Sequence, residues 1–138
     1  MALIAACAPA PKPSTPLQQA AQDFGLTGTW AATDCFKPRT VDDEGMTFAF
    51  QSDGSVSLDL DYGFGVPDHF TLTAARIIAP DKIDVDAMTG AFSHHMVLQS
   101  GSDRRLRFVE NTDGNGRVYV QNGALQNGVA AGWYVKCY

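Results

Sequence analysis

From Leu26 onward the chain alternates apolar and polar residues with a period of two, in short runs separated by turn residues. In "SVSLDLDY", Val56, Leu58 and Leu60 alternate with Ser57, Asp59 and Asp61; in "KIDVDAM", Ile83 and Val85 alternate with Asp84 and Asp86. Successive side chains on a strand point to opposite faces, so this period predicts sheets with one apolar and one wet face. "GMTFAFQ" and "SVSLDLDY" flank the turn "SDGS" and read as a hairpin. "HFTLTAARIIA" is a long strand turned by Pro80-Asp81, and "HHMVLQ" and "RRLRFVE" flank "SGSD". "DGNG" leads into "RVYVQNG", and the chain ends on "AAGWYVKCY". With "LTGTWAATDCF" as the first strand there are about eight or nine, joined by turns too short for parallel crossovers. An antiparallel meander of that length splits into a sandwich or closes into a barrel.

The one helix signal precedes the strands, in "TPLQQAAQDF" from Thr15 to Phe24. Thr15 caps it, Pro16 suits its first position, Gly25 ends it, and Leu17, Ala20, Ala21 and Phe24 share a face. The 138 residues suffice for one domain, and a composition 45% hydrophobic and 18% charged with 13 glycines suits a turn-rich globular fold. A net charge of −5 gives no electrostatic footprint for nucleic acid. No apolar run approaches the roughly 20 residues of a membrane-spanning helix.

Leu3-Ile4-Ala5-Ala6-Cys7 resembles a bacterial lipobox, in which a branched apolar residue and two small residues precede the cysteine that is lipidated. Only six residues precede Cys7 and none is basic, so the resemblance goes with a true start further upstream. Prolines at 9, 11, 13 and 16 keep the next stretch extended, as a tether would be. The resemblance implies a chain divided into residues 1–16, a lipid-anchored tether, and residues 17–138, the folded domain. It implies membrane contact only through the anchor at Cys7. Alanine after that cysteine implies an outer-membrane lipoprotein facing the periplasm. In an exported chain the two other cysteines, Cys35 and Cys137, are expected to form a disulfide. That bond would bring the first strand to the last, so a closed barrel is expected: all-β, antiparallel and up-and-down, with about eight strands and one short N-terminal helix. Counting in twos from Trp30 and back from Cys137 puts the two cysteines on different faces unless a bulge intervenes or Trp133 faces outward.

"LTGTW", with Gly28-x-Trp30 opening the first strand after a short helix, resembles the lipocalin signature and that of the wider calycin barrels. The resemblance implies that Trp30 plugs the closed end under a basic side chain from a late strand, for which Arg107, Arg117 and Lys136 are candidates. "GTWAATDC" is also similar, more weakly, to the bacterial metalloprotease inhibitor barrels.

Catalytic and metal motifs are not expected to carry the function. His94 and His95 are adjacent on a strand and point to opposite faces, so they cannot chelate one ion together. Asp59, Asp61, Asp84 and Asp86 read as a solvated outer face, Arg104, Arg105 and Arg107 likewise, and "NTDGNG" (111–116) as a turn. No cofactor is expected. Two functions follow. In one, the barrel binds a small apolar ligand. In the other, a filled barrel binds an envelope protein, as an inhibitor or an assembly subunit. The apolar face, from Trp30, Phe48 and Phe50 through Leu106, Phe108, Val118 and Val120, is bulky, so a modest cavity is expected. The loop "DYGFGVPDHF", with Tyr62, Phe64, Val66 and Phe70, is the expected border of the open end and the ligand or partner surface.

Overall fold

The computed structural model describes residues 12–32, 35, 44–62 and 67–137. Helix α1 (Pro16–Phe24) is followed by strands β1 (Gly28–Ala31), β2 (Glu44–Phe50), β3 (Val56–Tyr62), β4 (Asp68–Ala79), β5 (Lys82–Thr89), β6 (Phe92–Gly101), β7 (Arg105–Asp113), β8 (Val118–Gln121), β9 (Ala124–Leu125) and β10 (Tyr134–Lys136). β1 to β7 pair in sequence order, all antiparallel, and β10 pairs with both β1 and β7. Among the described residues, eight strands therefore form a closed antiparallel barrel with a single short helix. β8 and β9 are a hairpin outside that ring. They bond to the far half of the β7 edge at Asn111 and Thr112, while β10 bonds to its near half at Arg105 and Leu106.

Closure matches the expectation from the cysteines. Cys35 and Cys137 are bonded, with Cα atoms 5.4 Å apart, across 102 residues of chain. The conflict of faces resolves through Trp133. Tyr134 is buried, whereas Trp133 lies outside the barrel against Gly101, where a Cβ would meet its ring at 2.8 Å. The Arg107 guanidinium sits 4.6 Å from the Trp133 ring centroid and donates two hydrogen bonds to Gln99 Oε1. Gln99 in turn donates to Asp81. Cys137 is thus on the outer face, and Arg107 braces the last segment against the wall.

The interior is built as the alternation predicts. Leu58, Leu60, Leu72, Ile83, Val85, Met96, Leu98 and Leu106 are all fully buried. Phe50 and Val118, counted with them from sequence, are half-buried at opposite ends of the barrel. Two strands change parity. In β4 a bulge at Thr73–Ala74 shifts the inward set from Phe70 and Leu72 to Ala75. In β7 the register passes from Phe108 opposite Leu98 to Glu110 opposite Val97, so Asn111 replaces an even-numbered residue on the inside. The first and last strands are shorter than their apolar runs, and "NTD" of "NTDGNG" continues β7 before the turn.

α1 covers one end. Thr15 caps it, accepting from Gln18 N, and Gly25 closes it in a left-handed conformation, as expected from sequence. Gln18, 1% exposed, was not legible as an anchor: its Nε2 donates to Gln51 O and Ser55 O at 3.0 Å, pinning α1 to the β2–β3 turn. Beneath the helix Leu26 is fully buried, and the Trp30 indole donates from Nε1 to Leu26 O at 2.9 Å. Of the three basic candidates it is Lys136 that meets Trp30: its Nζ lies 5.4 Å from the ring centroid and donates to Gly25 O at 3.1 Å. Burial, with Arg104 nearby, pushes the Lys136 pKa below its ordinary value. Gly28 opens β1 at φ 125°, a backbone that other residues rarely adopt. Trp30→Ala should cost roughly 3–5 kcal/mol in urea denaturation, as loss of a large buried aromatic does; a loss well under 1 kcal/mol would show that Trp30 carries little of the seal.

Candidate functional site

The end opposite α1 is hollow. A cavity of about 710 Å³ opens beside the facing ends of β3 and β4, the β5–β6 turn and the β7–β8 turn. This exceeds the modest space expected from the bulk of the inward side chains. The cause lies in the wall. At this end β8 has left the ring and the segment before β10 is irregular, so small residues, Ala32, Ala131 and Gly132, face the space that a paired strand would fill. The floor and sides are apolar: Leu60, Phe70, Phe108, Val120 and Tyr134 are all buried. Phe92, 60% exposed, and Leu125 stand at the mouth. A volume of this size lies within the range of pockets that hold small molecules.

Polar side chains line the cavity as well, among them Glu44, Asp68, Thr89, His94, Asn111 and Asp113. His94, on the inward face of β6, packs edge-on to Phe70 with ring centroids 5.0 Å apart and stacks on Tyr119 at 6.0 Å. Its Nδ1 is buried without a hydrogen-bond partner, and so is Asn111 Oδ1. Asn111 is 7% exposed and lines the same cavity. At the rim Asp113 accepts from the Asn115 and Arg117 amides and from the Tyr119 hydroxyl. Partial desolvation pushes its carboxyl up, but the three hydrogen bonds and His94 outweigh that and hold it below the ordinary carboxylate value.

Of the residues expected at this end, Phe70 lines the cavity. The backbone of Tyr62 ends β3 opposite Glu44 at the same rim. Phe64 and Val66 lie outside the described residues, as does Cys7. His94 and Asn111 were not singled out as ligand-facing. The period of two places His94 on the inward face, but only the β7 bulge does so for Asn111.

The outer wall answers the other polar candidates. His95 points away from His94, as the strand geometry requires. His95 Nδ1 lies 2.9 Å from Asp86 and 3.5 Å from Asp84, and Arg76 reaches Asp84 at 3.4 Å. The ligand-type atoms of Asp84, Asp86 and His95 lie within 4.8 Å of one another and already serve this ion-pair network. Asp59 pairs with His69 at 2.6 Å.

Comparison with protein-family models, with curated proteins and with solved structures finds no match to this chain. The class is therefore defined by the geometry itself: a closed eight-stranded antiparallel barrel, sealed at its helix end and hollow at the other.

The Asp86 hydrogen bond raises the His95 pKa above the ordinary histidine value; partial desolvation opposes it, and Asp84, Asp86 and Glu110 reinforce it by charge. Stability from this pairing is fully present below the unfolded-state value of about 6.5 and is lost as pH rises through the higher folded-state value. The group is substantially exposed, so the wild type should lose only about 0.5 kcal/mol relative to His95→Gln between about pH 5 and about pH 9 in urea denaturation. Identical pH slopes in the two proteins would contradict the pairing.

Proposed function

We propose that this protein binds a small, largely apolar molecule in the hollow end of its barrel, as a carrier or sensor in the bacterial cell envelope. The observation that carries the reading is the cavity of about 710 Å³ with its apolar floor. A barrel that served only as a scaffold for its outer surface gains nothing from such a void, because unfilled interior space forfeits packing. The geometry also resembles that implied by the lipocalin-like Gly28-x-Trp30 start, with an aromatic seal at one end and a ligand space at the other. Two features support the location. The Cys35–Cys137 disulfide belongs to oxidising compartments. The Leu3–Cys7 stretch resembles a lipobox, consistent with an outer-membrane lipoprotein anchored through Cys7 and facing the periplasm.

The test is a thermal-shift screen of lipids, haem and small apolar metabolites on wild type and Ala131→Trp, which fills the cavity from its wall. A ligand at about 100 times its Kd should raise the wild-type melting temperature by roughly 10 °C and leave the variant unchanged. No small-molecule stabilisation, with a protein captured from envelope extract by the wild type, would replace this reading with a partner-binding barrel.

A further inference from the structure

The ion-pair network on the outer wall gathers an imidazole and two carboxylates, side-chain types that together hold transition metals. We propose that Asp84, Asp86 and His95, on the outward face of β5 and β6, form a binding site for one divalent cation of the zinc type. The inference is independent of the ligand-binding reading.

Strand register sets the three side chains in place. Asp84 and Asp86 are two residues apart on β5 and so share its outward face. His95 stands directly opposite Asp86 on β6, within a continuous ladder from Lys82–Gln99 to Thr89–Phe92. Its Nδ1 is 2.9 Å from one Asp86 oxygen and 3.5 Å from one Asp84 oxygen, and the three donor atoms all lie within 4.8 Å of one another. Zinc bonds imidazole nitrogen and carboxylate oxygen at about 2.0–2.2 Å, which puts neighbouring donors of a tetrahedral site roughly 3.4 Å apart. The wall therefore holds its donors near the spacing an ion requires, on backbone fixed by pairing on both sides. Beside them lies a hollow of about 190 Å³ whose lining includes Asp86, His95, Thr73, Ser93 and Thr112. It leaves room for a water at the fourth position, with hydroxyls at hand to hydrogen-bond it.

The donor set selects the ion. One imidazole with two carboxylates suits zinc and its first-row neighbours, whereas calcium takes roughly 6–8 oxygens. The charges that act on His95 are those of Asp84, Asp86 and Glu110, all negative. Arg76 reaches Asp84 only at 3.4 Å, and its side chain is 65% exposed, so it can turn into solvent as an ion enters. Without a metal, a proton on Nδ1 meets the same two carboxylates. Binding is then an exchange: the cation takes the Nδ1 lone pair, the proton leaves to solvent, and the two carboxylates balance the two positive charges of the ion. The contact between His69 and Asp59 brings one imidazole to one carboxylate, and among the described residues no third donor joins them.

The experiment is calorimetric titration of the tag-free protein with zinc chloride, with histidine-ring NMR signals followed in parallel. The variants are Asp86→Asn, His95→Ala and, as a control, His69→Ala. The wild type should bind one equivalent with a Kd on the order of 10 μM, and the His95 ring signals should move or broaden while those of His69 stay in place. Asp86→Asn and His95→Ala should each weaken binding by about tenfold or more, His69→Ala by less than about twofold, and millimolar magnesium should not compete. If a variant fails to fold, the wild-type ring signals decide by themselves. A Kd weaker than about 1 mM, undiminished binding in His95→Ala, or ring shifts centred on His94 or His69 would each overturn the assignment. The barrel and its cavity stand whichever result is found.

Discussion

Three residues close this barrel. β10 is Tyr134–Lys136, and among the described residues it is the only strand that joins β7 to β1. Each side of it makes two register pairs: Trp30 with Lys136 and Ala31 with Val135 on one edge, Leu106 with Tyr134 and Arg105 with Val135 on the other. Strand pairing this short is weak by itself, and the chain surrounds it with other bonds. Cys137 is tied to Cys35, and its amide donates to Thr29 O. Outside, Trp133 is held under Arg107; inside, Lys136 covers Trp30 and reaches Gly25 O. A disulfide closing so long a loop stabilises chiefly by restricting the unfolded chain, typically by about 2–4 kcal/mol.

The shortness of β10 also shapes the interior. β10 occupies only the near half of the β7 edge, and the β8–β9 hairpin takes the far half. Near α1 the ring is complete and its side chains meet across the axis. Toward the other end the ring is interrupted by irregular chain carrying Ala131 and Gly132, and the interior widens into the cavity. The seal and the void are therefore two consequences of one topological choice, the insertion of a hairpin before the closing strand.

Much of this was legible in the residues. The period of two marked the inward sets of β2, β3, β5 and β6. Thr15, Pro16 and Gly25 marked the helix, and the cysteine pair pointed to closure. What was hidden has physical reasons. Bulges change parity without any residue that announces them, so Asn111 read as part of a turn and the inward Ala75 was not counted. Cavity size depends on which strands complete the ring, and summing side-chain bulk cannot reveal that. Gln18 looked like an ordinary helical glutamine because its partners are backbone carbonyls of a turn more than thirty residues away. Lys136 could be picked from three basic residues only once the register of β10 against β1 was known.

The central claim is that one end of the barrel is sealed and the other receives a ligand. The most direct measurement is a two-dimensional amide and methyl NMR titration with N-phenylnaphthylamine. The account predicts shifts at Leu60, His94, Asn111, Val120 and Ala131, with the signals of Leu26, Trp30 and Val56 near α1 unmoved. Shifts centred on the α1 end, or confined to outward residues such as Ile78 and Val135, would contradict it.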